Sequence, residues 1–104
     1  MTSTTSRPAR APRPLAGVRI LSLALNLPGP AALMRCRAMG ATCVKLEPPA
    51  PDGGPGDPMA IYAPAAYATL HDGVRVLQAN LKTEPGQQAL HKELARTDVL
   101  LTSF

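Results

Sequence analysis

The chain has no tryptophan, and two tyrosines and one phenylalanine are its whole aromatic complement in 104 residues. A core without rings has to be built from aliphatic side chains. At this length it makes at most one small domain, with little surplus stability. Long apolar runs are missing too: none approaches the roughly 20 residues that a membrane-crossing helix needs. The N-terminus has no apolar h-region, so it does not read as a secretory signal. Cysteine is scarce, and Cys36 and Cys43 lie on a helix and on the strand after it. They read as buried thiols in a reducing compartment rather than as a disulfide or a metal pair. Several site motifs are absent as well. No G-x-G-x-x-G follows the first strand, and neither G-x-x-x-x-G-K-[ST] nor G-x-S-x-G occurs, which removes the two common phosphate loops and the hydrolase nucleophile elbow. His71 and His91 have no metal-spaced Cys, Asp or Glu; both read as surface histidines, and no metal site is expected.

Charge of one sign is only mildly in excess. The net charge is +4, but Arg7, Arg10 and Arg13 lie in the tail, and without them eight Lys/Arg face seven Asp/Glu. That balance gives no case for a nucleic-acid partner. Residues 1–13, MTSTTSRPARAPR, hold no large apolar side chain after Met1 and are expected to form a disordered tail.

What is present centres on Gly17–Pro49. Val18, Ile20, Leu21 and Leu23 form a short branched apolar run, as in a strand buried on both faces. Pro28, Gly29 and Pro30 break it, the glycine permitting a tight reversal or a close backbone approach. The stretch AALMRCRAM then predicts a helix, with Ala32, Cys36 and Met39 on one face and Gly40 as its left-handed terminator. Cys43, Val44 and Leu46 make the next strand. Strand, helix, strand is a βαβ unit with parallel neighbours. The segment PPAPDGGPGDP reads as a loop, exposed or a mobile cover over a site, with Asp52 and Asp57 flexible in it. Residues 59–72 predict mostly helix limited by Pro64, with Tyr62 and Tyr67 as packing groups. Val74–Leu81 predicts a third strand, Thr83 an N-cap, 84–96 a surface helix carrying Glu84 and Glu93, and VLLTSF a fourth strand.

The expected fold class is therefore α/β, a Rossmann-like parallel sheet of about four strands with flanking helices, an incomplete piece of a larger domain. In such a sheet a ligand lies at the C-terminal ends of the strands: near 26–30, 47–49, 80–82 and 103–104. Glu47 reads as a strand-end acceptor for backbone N–H groups, and Lys82 is the one cation there, suited to phosphate or carboxylate. By residue chemistry alone, the reaction is not identified.

Four blocks in this order carry a resemblance: PLAGVRIL, LPGPAALMRCRAMGATCVKLEPP, the Gly-rich loop ending in GDP, and NLKTEPGQQALHKELARTDVLLTSF. Together, over residues 14–104, they resemble the N-terminal segment of class III CoA-transferases, a family that includes formyl-CoA transferase, carnitine CoA-transferase and α-methylacyl-CoA racemase. The resemblance implies transfer of CoA between carboxylic acids by the complete family fold. It implies coenzyme A or acyl-CoA as substrate, no covalently bound cofactor, an intertwined homodimer, and a cytoplasmic setting without nucleic-acid or membrane partners. The nucleophilic aspartate of the family falls beyond the matched blocks, so no catalytic residue is expected in this chain. By position Asn26 matches a residue lining the CoA crevice. Ala79, Asn80, Leu81 and Lys82 match a segment contacting its adenosine end, and Ser103 and Phe104 a pair beside the CoA. The sequence departs from the family at Leu25, often His or Arg there, at Asn80, usually aspartate, and at Ser103, usually asparagine. Other readings are a racemase-like member, a non-catalytic nucleotide- or CoA-binding module, and a NAD(P)-dependent oxidoreductase fragment. The missing glycine fingerprint argues against the last.

Overall fold

The computed structural model describes residues 13–103; residues 1–12 of the expected tail and Phe104 lie outside the described residues. Eight elements follow in order: β1 (Arg19–Ser22), α1 (Pro28–Ala38), β2 (Thr42–Glu47), α2 (Met59–Tyr62), α3 (Pro64–Leu70), β3 (Arg75–Gln78), α4 (Glu84–Leu94) and β4 (Val99–Leu101). The strands form one parallel sheet in the order β3-β2-β1-β4. The α/β reading holds. The sheet steps outward from β1 to β3 and then returns to the far side of β1. Right-handed crossovers put α1 and α3 on one face and α4 on the other. The point of reversal, between the ends of β1 and β4, is where open sheets of this kind leave a crevice.

Alternation along the strands decides what each face buries. Ile20 and Cys43 point to the α1 side and pack with Leu33 and Ala41, with Leu15, Val18, Cys36, Val74 and Leu101 around them. Leu21 and Leu33 are almost completely buried, each contributing about 1.5–3 kcal/mol of hydrophobic stabilisation. No described aromatic ring is in this cluster, as the composition requires. The buried stripe of α1 is Gly29, Pro30 and Leu33, not the expected Ala32 face. Ala32 is exposed, while Cys36 and Met39 are half-buried. The helix starts at Pro28, three residues before the expected stretch.

Gly29 makes the close approach expected of it, though without a positive φ. Its α-carbon faces Ala24, itself fully buried, and an added Cβ would collide with the Ala24 methyl. Gly40 does take the left-handed conformation, φ 106°, at the end of α1. Thr83 is the N-cap of α4: its hydroxyl accepts from the Gly86 N–H at 3.2 Å. Glu93, expected on a surface, is buried on α4 because it takes Arg75 of β3 at 3.0 Å and Arg96 at 3.2 Å. Pro64 divides 59–72 into α2 and α3, since its ring lacks the N–H that a continuous helix would use. No helix among the described residues is long and apolar enough to cross a membrane.

Candidate functional site

The C-terminal ends of β1, β2 and β3 open on a cavity of about 260 Å³ lined by Leu23, Leu25, Leu46, Glu47, Pro48 and residues 79–82. Its walls are mostly apolar, four of the nine lining residues being leucine, and Lys82 supplies the cation. Four residues singled out from the sequence, Ala79, Asn80, Leu81 and Lys82, thus line one space. The Asn80 side chain accepts the Lys82 N–H at 3.0 Å and its carbonyl accepts the Thr83 N–H at 3.0 Å, so the segment is a fixed turn. Leu25 fills a wall where a polar residue is common in the resembled family.

Asn26 lies at the end of the β1–α1 turn and not in the lining of this cavity. It is exposed and left-handed, φ 66°, a conformation asparagine tolerates better than most residues. Its N–H donates to both carboxylate oxygens of Asp57, at 3.1 and 3.2 Å. Its side-chain oxygen accepts from the Tyr62 hydroxyl at 3.1 Å. Tyr62 is therefore exposed and polar in its use, contrary to its reading as a packing group. Ser103 is exposed just past β4, and Phe104 is outside the described residues.

Beneath the turn is a network that the sequence reading missed. On β2 the alternation that points Cys43 inward also points Lys45 and Glu47 inward, and both are almost completely buried. The Lys45 ammonium bonds to the carboxylate of Asp57, also fully buried, and approaches Glu47 Oε2 at 3.1 Å. It also lies 2.9 Å from His71 Nε2. A lysine can only donate, so His71 Nε2 accepts and the imidazole carries its proton on Nδ1, which donates to the Tyr67 carbonyl at 2.7 Å. The Tyr67 hydroxyl donates to Glu47 Oε2 at 2.7 Å, its ring stacks on His71 with centroids 3.9 Å apart, and Lys45 sits over that ring at 5.4 Å.

Two expectations are corrected here. His71 is buried, not superficial, because α3 turns it onto the sheet. Asp57 is not in a flexible part of the loop; it is anchored by Lys45, by the Asn26 N–H and by the Met59 N–H at 3.0 Å. Tyr67 combines packing with hydrogen bonding, and Glu47 accepts from side chains rather than chiefly from backbone. The signal that could have found Lys45 was the alternation in TCVKLE, which puts Lys45 on the same face as Cys43.

The electrostatics follow from burial and partners. Burial would push the Asp57 carboxyl up, but Lys45 and the N–H groups of Met59 and Asn26 outweigh it and hold it below the usual range. Burial pushes His71 down and keeps it neutral. Burial, with Glu47 beside it, raises the Tyr67 phenol, which stays protonated. Glu47, Asp57 and His71 bring three metal-capable atoms within 4.8 Å of one another, but the position a cation would take is filled by the Lys45 ammonium. The cluster therefore carries its own cation, and it bolts the Gly-rich loop and α3 to β2.

Comparisons with known proteins fit this arrangement. The family model described as CoA-transferase family III matches residues 15–104. A cinnamoyl-CoA:phenyllactate CoA-transferase of Clostridium sporogenes is 32% identical over 99 residues, which is 85% of this chain and 23% of the relative. A succinate–glutarate CoA-transferase of Agrobacterium fabrum is 38% identical over 112 residues, 96% of this chain and 27% of the relative. A solved structure from Mycobacterium tuberculosis superposes with a TM-score of 0.75 at 28% identity, over 94% of this chain and 26% of that one. A CAIB/BAIF family protein from Brucella suis does so with a TM-score of 0.72 at 28% identity, over 90% and 26%. The chain thus spans about a quarter of the length of the relatives it matches. With the family model covering nearly the whole described chain, this protein belongs to CoA-transferase family III.

Proposed function

We propose that this chain forms the CoA-binding edge of a family III CoA-transferase, whose complete fold moves CoA between carboxylic acids. The observation that carries the reading is the leucine-walled cavity at the strand ends with Lys82 beside it. An apolar slot suits the adenine and pantetheine portions of a CoA ester, and a cation suits its phosphates. Ala79, Asn80 and Leu81 would line the adenosine end. Asn26, Ser103 and Phe104 would lie along the arm leading to the thioester. The relatives at 32% and 38% identity are named for transfer of CoA between acyl groups, which supports CoA and carboxylic acids as the substrate classes.

Acyl exchange through a carboxylate needs a nucleophile within reach of the thioester carbonyl. Glu47 and Asp57 are occupied by Lys45 and Tyr67, and neither is free to attack. On this reading the described residues supply the binding edge, and turnover would belong to the longer family fold. That fold would be a homodimer, in keeping with the exposed Leu27, Met34, Ile61, Val99 and Leu100. Free Cys36 and Cys43, with Cys43 pushed up to about 11 by burial, suit a reducing cytoplasmic setting. The test is titration of the 104-residue chain with coenzyme A by calorimetry, beside an acyl-exchange assay. Binding without turnover, weakened about tenfold or more by Lys82→Ala, is expected. No binding at millimolar CoA would sink the reading, and AMP binding as tightly as CoA would favour a general nucleotide module.

A further inference from the structure

We infer that the N-terminal ends of β1, β2 and β3, with the end of α4, enclose a second site, which takes the carboxylate of a small aliphatic acid. It shares no lining residue with the cavity at the other end of the strands and does not rest on the CoA reading.

Register brings the site together. Arg19 lies opposite Thr42, and Arg75 opposite Val44. Residues two apart on a strand share a face of the sheet, and so do partners in register on neighbouring parallel strands. Arg19, Thr42, Val44 and Arg75 therefore stand on one face, the one turned away from Cys43 and Lys45. The end of α4 adds Glu93, and the turn after it adds Arg96 and Thr97. The space left between them is a cavity of about 360 Å³.

The cavity gathers more positive charge than its own acids neutralise. Glu93 takes Arg75 at 3.0 Å and Arg96 at 3.2 Å, and Asp98 lies 4.0 Å from the Arg19 guanidinium. Three guanidinium groups thus face two carboxylates, a surplus of one positive charge. Glu93 is buried, and its Oε1 receives Nη2 of both Arg75 and Arg96. One fixed carboxylate therefore draws two like charges together. It also leaves Nε and Nη1 of each without an acceptor among the described residues. A guanidinium offers five N–H donors in a planar fork, and the fork matches a carboxylate in pairs. Two such forks side by side, with one charge in surplus, complement one further carboxylate. Half-buried Val44 and the arginine stems give the cavity an apolar wall, which suits the chain of an organic acid better than a bare inorganic ion.

The experiment titrates the 104-residue chain with sodium butyrate, with sodium chloride holding the ionic strength constant, and follows the arginine Nε–H signals in ¹⁵N spectra. Saturable shifts at Arg19, Arg75 and Arg96 are expected. The double variant Arg19→Gln with Arg96→Gln should weaken binding about tenfold or more, with a circular dichroism spectrum matching the parent to show that the fold is kept. Arg96→Lys, which retains the charge but not the fork, should also weaken it. Lys92→Gln, which removes an α4 charge outside the cavity lining, should leave the affinity unchanged. From acetate to butyrate the affinity should rise roughly two- to fourfold for each methylene. Shifts that never saturate, or an affinity unmoved in the folded double variant, would overturn the site. Inorganic phosphate binding more tightly than butyrate, or acetate binding as tightly, would overturn the assignment to an aliphatic carboxylate. Loss of affinity in Lys92→Gln equal to that in the double variant would reduce the effect to net charge and overturn the site as well.

Discussion

The ammonium of Lys45 and the carboxylate of Asp57, twelve residues apart in sequence, meet with both side chains completely buried. One belongs to the central strand β2 and the other to the loop that runs over the strand ends, so the pair ties the loop to the sheet. Glu47, His71 and Tyr67 complete the shell, and every polar atom of the lysine head is directed at a protein acceptor rather than at water. Such a pair is not a simple gain in stability, because two charges had to leave water to form it. Its value is that the loop has one well-defined seat.

Removing one partner alone should be severe. Lys45→Met leaves Glu47 and Asp57 as buried carboxylates without a cation and should cost about 3–5 kcal/mol in urea unfolding. The double variant Lys45→Met with Asp57→Asn removes much of that burden and should recover a substantial part of the loss. A single variant costing less than about 1 kcal/mol would mean that the pair is solvated in solution.

Stability should fall with acid in two stages. His71 has its folded pKa depressed below 6.5 by burial, so its contribution is complete above pH 6.5 and is lost as pH falls through the lower folded value. Asp57 is depressed below 3.8, despite burial, by Lys45 and two N–H donors; its contribution is complete above pH 3.8 and is lost below it. Melting temperatures measured from pH 7.5 to pH 3 should show both limbs. His71→Gln, which can still accept from Lys45 but does not titrate, should flatten the upper limb only. A melting temperature unchanged between pH 7.5 and pH 5 would contradict the buried neutral imidazole.

Gly29→Ala should destabilise through crowding rather than through backbone conformation. The new methyl meets Ala24, whose Cα lies 3.5 Å from the added Cβ position, and overpacking of this kind costs about 1–3 kcal/mol. The compensating pair Gly29→Ala with Ala24→Gly should be more stable than Gly29→Ala alone. If the pair is no better, the contact is not what matters.

Self-association should follow the exposed edge. Val99 and Leu100 on β4 are each 47% exposed, and β4 ends the sheet on that side among the described residues. An apolar edge strand invites pairing with another chain. Sedimentation of the chain should be concentration-dependent, and Leu100→Lys should weaken association at least tenfold. A monodisperse monomer at high concentration would refute this.

Much of this was legible in the residues, and the division is a physical one. Val18–Leu23, Gly40, Pro64 and Thr83 act locally: an apolar run, a left-handed terminator, a missing N–H and an N-cap. Each therefore marks its own element in sequence, and all four elements are found. The C-terminal strand ends were equally foreseeable, since topology alone brings Leu81 and Lys82 to Leu23 and Leu46. The buried network was not. Lys45 gains its meaning only from Asp57 in a loop and His71 on α3, and no local rule links a strand lysine to partners 12 and 26 residues away. A loop rich in Pro, Gly and Asp also reads as solvated until one of its aspartates is seen to be an internal counter-ion.

The strand order has a consequence for how the chain folds. β1 and β2 are joined through residues 23 apart, Arg19 opposite Thr42, whereas the Arg19 N–H bonded to Asp98 spans 79 residues. Loop closure makes the second pairing about 1 kcal/mol costlier in chain entropy, and its reward arrives only after the rest of the sheet exists. The β1–β4 seam is thus the last to zip and the first to fray. In hydrogen exchange the Leu23 and Asp98 amides should open well before those of Cys43 and Val44. Because Asn26 follows directly on that seam, a molecule bound across it would act as a clasp on the least secure join of the fold, slowing exchange there before it slows exchange anywhere else.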